Sequence, residues 1–565
     1  MKRQFLSFGL IICMLLTSMA FPVAAAEKLT EGGYTYTISD EKATITGCDS
    51  NVVNGDVVIP STLGRYPVTS IGSLAFGKKS KLTSVIIPDG VTTIGPSAFF
   101  GCSNLASVTI PNGVTTIEQS AFNECGNLSS ITIPAGVTTI GASAFAYCKS
   151  LKNIVIPYGV TTIGEMAFDN CDNLVSVTIP DSVTSIGKYA FSGCDNLANV
   201  TLSNSITNIG NSAFKECNNL ISITIPDGVT SVGSNAFYSC SSLVTATLGN
   251  GLTSVNKSTF YYCTSLVSIT LGKNVTSIGE SAFYNCHNLA NITIPDKVMS
   301  IGNNAFNECR SLVDIVIPNS VTSVGSSAFA NCDALTNVTV GNGVISLGES
   351  AFSGCTALTT ATLGNKVTSI GSKVFKGCKT LSSVVIPESV VTIGNNAFAD
   401  CHGLTDAYYT GSEEKWNKIV IGQTGNEALT TANIHFNSTG SVTAPEEETT
   451  DEISVIVNGN KVVFDQPPVL ENGRTLVPLR AIFEALGATI GWDDATQTVT
   501  ASKDGVEISL QIGSTQMYVN GEIKTLDVPA KLVNGRTLVP VRAVSEAFNC
   551  NVGWIDETQT VVITL

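Results

Sequence analysis

Residues 82–102 read LTSVIIPDGVTTIGPSAFFGC, and their reading decides the fold. Leu82, Val85 and Ile87 alternate with polar residues before Pro88, as a short strand does. Pro88 lacks the N–H a ladder needs and ends that strand. An Asp-Gly turn follows, then Val91, Ile94, Gly95, Ala98-Phe99 and Cys102. Apolar residues return in every segment, which suits a flattened coil wrapped on all sides around one core.

The stretch is one of many. Phe76 recurs as Phe99, Phe122, Phe145, Phe168, Phe191, Phe214, Phe237, Phe260, Phe283, Phe306, Phe329, Phe352, Phe375 and Phe398, always 23 residues apart and without an insertion. One unit cannot bury its own apolar side chains, so the units must stack into a continuous core. The fold class expected is a repeat solenoid, a parallel-β rod of 23-residue units. Fifteen coils at about 4.8 Å per stacked strand give a rod of roughly 70 Å. The glycine four residues before each Phe is expected to supply a positive φ at a corner. Glu118 and Asn256 replace it; Asn tolerates that conformation, and Glu118 has no account at this level.

The pattern L-x-x-[VI]-x-[IL]-P-x-x-V-x-x-I-G-x-x-A-F-x-x-C resembles the BspA-like leucine-rich repeats of bacterial and some protozoan surface proteins. The resemblance covers residues 66–403 and implies a leucine-rich-repeat solenoid with roles in adhesion, host-protein binding or co-aggregation. Residues 27–65, with Gly-Gly-Tyr-Thr-Tyr-Thr-Ile from Gly32, read as a hairpin and partial coil and resemble the family's N-terminal cap. Residues 404–437 resemble its exit, a C-terminal cap in which Ser412 opens a short helix and Trp416 covers the last coil.

Fourteen of the seventeen cysteines follow a repeat Phe by three, from Cys102 to Cys401, while the first unit has Lys79 there. An even count in an exported chain invites a disulfide framework. The period argues otherwise: a column of parallel Cβ vectors about 4.8 Å apart exceeds the roughly 3.8 Å a disulfide favours. Buried free thiols acting as small apolar groups are expected. A column also fails to converge on a metal.

Residues 438–452 (STGSVTAPEEETTDE) form a polar, acidic linker. Beyond it, residues 453–565 repeat with a period of 62: Asn472-Gly473-Arg474-Thr475-Leu476-Val477-Pro478-Leu479-Arg480 matches Asn534-Gly535-Arg536-Thr537-Leu538-Val539-Pro540-Val541-Arg542, and Trp492 matches Trp554. Each half is read as a hairpin, a helix (Ala481–Leu486, Ala543–Phe548) and a strand pair such as Gly491–Ala501, giving a small α+β domain of two pseudo-repeats. It resembles the copper amine oxidase N-terminal-like or stalk domain of exported Gram-positive proteins, a resemblance that implies attachment or spacing, with the cell wall as the expected anchor. Residues 453–565 contain no histidine and no Asn-Tyr-Asp/Glu sequence, so neither a copper site nor the quinone cofactor of the oxidases fits them. Arg480 with Glu484, and Arg542 with Glu546, stand at i,i+4 and are read as helix-surface ion pairs, with contact to a ligand as the alternative.

Lys2 and Arg3, the apolar run from Phe5 to Ala20, and Ala24-Ala25-Ala26 read as a signal peptide over residues 1–26, cleaved after Ala26. Its loss takes the formal charge from −15 to −17. Such a surface, with no basic run, disfavours nucleic acid and anionic bilayers. The chain ends in a strand-like Val561-Val562-Ile563-Thr564-Leu565 without a sortase-type signal, so a secreted protein, at most non-covalently wall-associated, is expected.

No nucleophile motif, phosphate-binding loop or metal-ligand spacing stands out, and no catalytic residue, metal or cofactor is assigned. Of three histidines, His287 and His402 follow repeat cysteines as turn residues, and His435 lies in the exit segment. One surface invites a binding role. Ser107, Ser130, Ser176, Ser222 and Ser268 form one column of the strand face, with Asn153, Asn199, Asn291, Asp314 and Asn337 as variants. Two residues on, Thr109, Thr132, Thr178, Thr201, Thr224, Thr247, Thr270, Thr293, Thr339 and Thr362 form a second, interrupted by Val155, Val316 and Val385. Positions i and i+2 share a face. The lattice is either a solvated strand face, a contact surface for an extracellular protein, host or microbial, or, least in keeping with its irregularity, an ice-ordering array. It lacks aromatics, which weakens a carbohydrate platform. The functional expectation is an adhesin-like binding protein; the rivals are a purely structural wall or matrix component and, remotely, an exported enzyme.

Overall fold

The computed structural model describes residues 27–439 and 453–564, apart from Gly459, Val463, Asp465, residues 472–473, Asn534, Asn549 and residues 556–558. The expected signal peptide and nearly all of the linker lie outside the described residues.

From Tyr66 onward the chain winds as a parallel-strand β-solenoid of 23-residue coils. Each coil contributes to two ladders. One is built from strands such as Ser107–Thr109, Ser176–Thr178 and Ser222–Ile225, and pairs residues 23 apart: Ser107 with Ser130, Ser176 with Asn199, Ser222 with Thr245. The other uses two-residue strands, Thr93–Ile94 to Thr392–Ile393, in the same step. Between the ladders lies one core. Its spine is a column of fifteen phenylalanine rings, Phe76 to Phe398, all fully buried, with successive centroids 4.9–5.8 Å apart. The expected stack of single-coil cores is realised as one apolar column.

The repeat glycines do a different job from the one expected. None of those four before a Phe has a positive φ. Two other positions in every coil do: the residue two before the Phe (Ser97 at 57°, Ser143 at 54°, Lys373 at 60°) and the residue two after it (Glu124 at 61°, Asn170 at 55°, Gly354 at 77°). The repeat glycine is required by close approach instead. A Cβ on Gly187 would stand 2.5 Å from the carbonyl carbon of Gly164 and 2.7 Å from the amide nitrogen of Glu165, which are backbone atoms of the preceding coil. Glu118 and Asn256 therefore need no left-handed backbone. The Asn256 amide donates to the Val232 carbonyl of the coil before at 2.7 Å, and nothing in the structure explains how Glu118 is accommodated.

The ladder cysteines are fully buried, and the sixteen described cysteines are free thiols. Each ladder thiol donates to the carbonyl of a Phe in the coil before: Cys102 to Phe76 at 3.0 Å, Cys240 to Phe214 at 3.1 Å, Cys401 to Phe375 at 3.0 Å. That carbonyl also accepts the amide of its own coil's Cys, as Phe99 does from Cys102 at 3.2 Å. Both lone pairs of a buried acceptor are used, so cysteine serves as a packing group and as a donor. Lys79, in the coil without a ladder cysteine, donates to Ser50, and Cys48 of the cap donates to the Ala75 carbonyl at 3.2 Å.

Both ends of the column are closed. At the start, Tyr34, on the antiparallel hairpin Tyr34–Ser39 and Lys42–Cys48, sets its ring 6.3 Å from that of Phe76. At the far end the helices α1 (Glu413–Trp416) and α2 (Glu427–Thr430) cover the last coil. Ser412 caps α1, and Trp416 packs edge-on against Tyr409 at 5.2 Å. The Phe398 amide, which has no further coil to donate to, is accepted by Asn426 Oδ1 at 3.2 Å, and the Asn426 amide group donates to Gly394 and Gly422.

The C-terminal module has its own core, with Val477, Ile482, Phe483, Val539 and Val544 at its centre. The two Arg-Thr-Leu-Val-Pro strands, Arg474–Pro478 and Arg536–Pro540, pair antiparallel, Val477 opposite Val539, so a pseudo-two-fold relates the halves. Helices α3 (Leu479–Ala485) and α4 (Val541–Glu546) begin two residues earlier than expected, directly after Pro478 and Pro540, because Leu479 and Val541 are already needed in the core.

Candidate binding surfaces

The expected lattice exists on the first ladder. Ser107, Thr109, Ser130, Thr132, Ser176, Thr178, Thr201, Ser222, Thr224, Thr247 and Thr293 are exposed, whereas Thr270 is half-buried and Ser268 only 9 % exposed. Among the described residues none of these hydroxyls has a hydrogen-bond partner, so their donors and acceptors face water. Farther along, the column bonds to itself: Asp314 Oδ1 accepts from Thr336 and Asn337, and Asn337 from Thr360 at 2.7 Å. The valine interruptions are apolar outcrops, Val155 79 % and Val316 66 % exposed, while Val385 is buried.

The face is not free of aromatics. Its columns run on through the cap, where Val385 pairs with Tyr408 and Tyr408 with His435. The His435 ring stacks on Tyr408 at 4.7 Å and its Nε2 lies 2.7 Å from Asp406 Oδ1. That hydrogen bond, with a second from Thr405, holds the Asp406 carboxyl below its ordinary range. Tyr408 keeps the 23-residue step from Val385, but the step from Asp406 to its partner Asn433 is 27 residues, which hides His435 from a reading at period 23.

A second feature was missed although its signal was legible. Tyr238, Tyr261 and Tyr284 follow their repeat Phe by one, and their rings stack at 4.8 Å with Tyr262 beside them. The ring faces are spent on one another, and Lys215 covers the outer face of Tyr238 at 5.5 Å, so edges and hydroxyls are what the corner presents.

In the module neither predicted ion pair forms: Arg480 and Glu484, and Arg542 and Glu546, have no hydrogen-bond or ionic partner among the described residues. In water such a pair is worth a few tenths of a kcal/mol, too little to hold two long side chains together. Among the described residues no group of three or more His, Cys, Asp or Glu could hold a metal ion, and no helix is long and apolar enough to cross a membrane.

The BspA type leucine rich repeat region matches in six copies, over residues 69–198, 184–313 and 276–405. The chain belongs to the BspA-type leucine-rich-repeat family. Proteins with these repeats are typically surface-associated bacterial proteins, and leucine-rich repeats generally bind protein ligands. Similar solved structures include a leucine-rich repeat protein from Bacteroides ovatus, 27 % identical, covering 72 % of this chain and 99 % of that one with a TM-score of 0.48. Another is a leucine rich cell surface protein from Faecalibacterium prausnitzii, 32 % identical over 70 % of this chain and 98 % of that one, with a TM-score of 0.38. Residues 456–563 match the copper amine oxidase N-terminal domain. Two relatives are each 32 % identical: a protease inhibitor of Brevibacillus choshinensis over 123 residues, and a primary amine oxidase of Klebsiella aerogenes over 85. They share 21 % and 15 % of this chain, which spans 37 % of the length of the first and 11 % of the second. The oxidase family is met only in its N-terminal, non-catalytic domain.

Proposed function

We propose that this is an exported, non-catalytic adhesin-like protein whose solenoid meets an extracellular protein, host or microbial, along the strand face, and whose C-terminal module holds it non-covalently at the cell wall. The observation that carries the reading is the run of unbonded Ser and Thr hydroxyls from Ser107 to Thr247, set among exposed apolar side chains such as Val155 and Ile221. Unspent donors and acceptors beside apolar outcrops supply the two things a protein interface uses, hydrogen bonds and desolvated contact. The signal-peptide pattern of residues 1–26 and the acidic charge support export and argue against nucleic acid or anionic lipid as partners. The module's separate core supports a separate role.

The test is a split retention experiment. Residues 27–437 and 453–565 are expressed apart and offered to whole cells, purified walls and a panel of extracellular-matrix proteins. The solenoid is expected to retain a saturable protein partner and the module to retain wall. A solenoid that binds nothing beside a module that binds wall would make the rod a spacer and overturn the adhesin reading.

A further inference from the structure

The module contains a cleft of about 650 Å³, bounded by the strand Arg474–Pro478 of its first half and by α4 and the strand Asn551–Ile555 of its second. Resting on the wall-attachment reading above, we propose that this cleft is the attachment site and that it takes a short peptide bearing a free carboxylate and a free side-chain ammonium, the chemistry an uncross-linked wall stem peptide exposes.

Three observations support it. First, the charges are matched for a zwitterion. Arg474 and Asp527 are paired at 2.6 Å at the rim, and α4 adds the exposed Arg542 and Glu546, which pair with nothing among the described residues. Two cations and two anions cancel, so a polyanion gains little, while a guanidinium fork and a carboxylate about 5–6 Å apart at Cβ suit opposite charges on one small ligand. Second, half-buried Trp554 supplies a flat wall and Leu470, 59 % exposed, an apolar rim, which suit a peptide backbone with small methyl side chains. Third, the set is duplicated. Arg542, Glu546, Trp554 and Gln559 recur 62 residues earlier as Arg480, Glu484, Trp492 and Gln497. The exposed pair Thr489 and Asn551, outside it, has drifted. The recurrence of Arg542, Glu546, Trp554 and Gln559, all of which line the cleft, supports a surface held by something it binds.

The probe is the synthetic pentapeptide Ala-γ-Glu-Lys-Ala-Ala with a free lysine amine and a free C-terminus, titrated calorimetrically into the secreted chain, residues 27–565. Wild type is expected to bind it. Arg480→Ala/Arg542→Ala, at exposed positions, is expected to lose roughly 10–100-fold, the value of a charge-assisted pair, with an unchanged thermal unfolding midpoint. Acetylating the lysine amine should weaken binding to wild type and leave binding to Glu484→Gln/Glu546→Gln unaltered. Failure of wild type to bind the peptide, or equal binding by the arginine variant, overturns the proposal. Purified-wall sedimentation separates the two levels. Wall retention that survives in the arginine variant leaves attachment standing and removes the cleft from it; no retention by wild type defeats attachment itself.

Discussion

Replacing Gly187 by Ala tests how the coils are held together. The added Cβ would lie 2.5, 2.6 and 2.7 Å from three backbone atoms of the coil before, Gly164 C, Gly164 O and Glu165 N. Ordinary contact begins near 3.4 Å, so the two coils must part locally by about 0.8 Å. The Gly187 amide now donates to the Ile163 carbonyl at 2.9 Å and the Thr184 amide to Thr161 at 3.1 Å. Parting by that amount takes both beyond hydrogen-bonding range, at roughly 0.5–1.5 kcal/mol each. Overpacking adds about 1–3 kcal/mol, and the reduced freedom of the unfolded chain returns about 0.4–1 kcal/mol. The net expectation is a loss of about 1–5 kcal/mol, followed by urea unfolding of residues 27–437 with far-UV circular dichroism. Gly126→Ala is the control. Its Cβ would meet nothing within 4 Å and its φ is not positive, so no loss is expected. Equal unfolding curves for the two variants and wild type would refute close approach as the reason for the repeat glycine.

Phe237→Ala opens a gap between the rings of Phe214 and Phe260, whose centroids stand 5.6 and 5.4 Å from its own, and should cost about 3–5 kcal/mol in the same assay. Burial pushes the Cys240 thiol up to about 12 from 9.0. A raised thiol pKa stabilises fully below the unfolded value and is lost as pH climbs towards the folded one, so at pH 10 this thiol should cost about 1.4 kcal/mol of its coil's stability. Alkaline unfolding well below pH 12 checks this, and a thiol reagent at pH 8 should label ladder cysteines only after unfolding. Asp406 has the opposite sign: its carboxyl, depressed by His435 and Thr405, stabilises the exit cap above the ordinary carboxylate range and stops doing so as pH falls through its folded value. Asp406→Asn should therefore lower the thermal midpoint at pH 7, by an amount that shrinks as pH falls below the ordinary carboxylate range.

The period-23 Phe and Cys columns were enough to read the solenoid, because a register kept through fifteen units has one stacking solution. The glycine's reason was not legible. Left-handed backbone and close approach both select glycine, and only the stacking of the coils separates them: the left-handed positions mix Gly and Asn with Ser, Glu, Tyr, Lys and Met, so no one residue type marks them. The strand face could be read at period 23 as far as Tyr408, which stands 23 residues after Val385, and no farther, since the cap lengthens the next step to 27 and so conceals His435. The Tyr238, Tyr261 and Tyr284 column was readable at period 23 but sits outside the strand positions on which attention falls. In the module, i,i+4 spacing proposed ion pairs, and the structure instead turns Arg542 and Glu546 to a cleft whose other wall lies nearly 70 residues away in sequence, at Arg474.

The most direct measurement of the central claim is a hydrogen-exchange footprint of the secreted chain with and without a captured protein partner. New protection is expected in the strands Ser107–Thr109, Ser176–Thr178, Asn199–Thr201 and Ser222–Ile225, abolished by Thr178→Arg/Thr201→Arg. Protection confined to the tyrosine corner at residues 238, 261, 262 and 284, with the strand face unchanged, would contradict it.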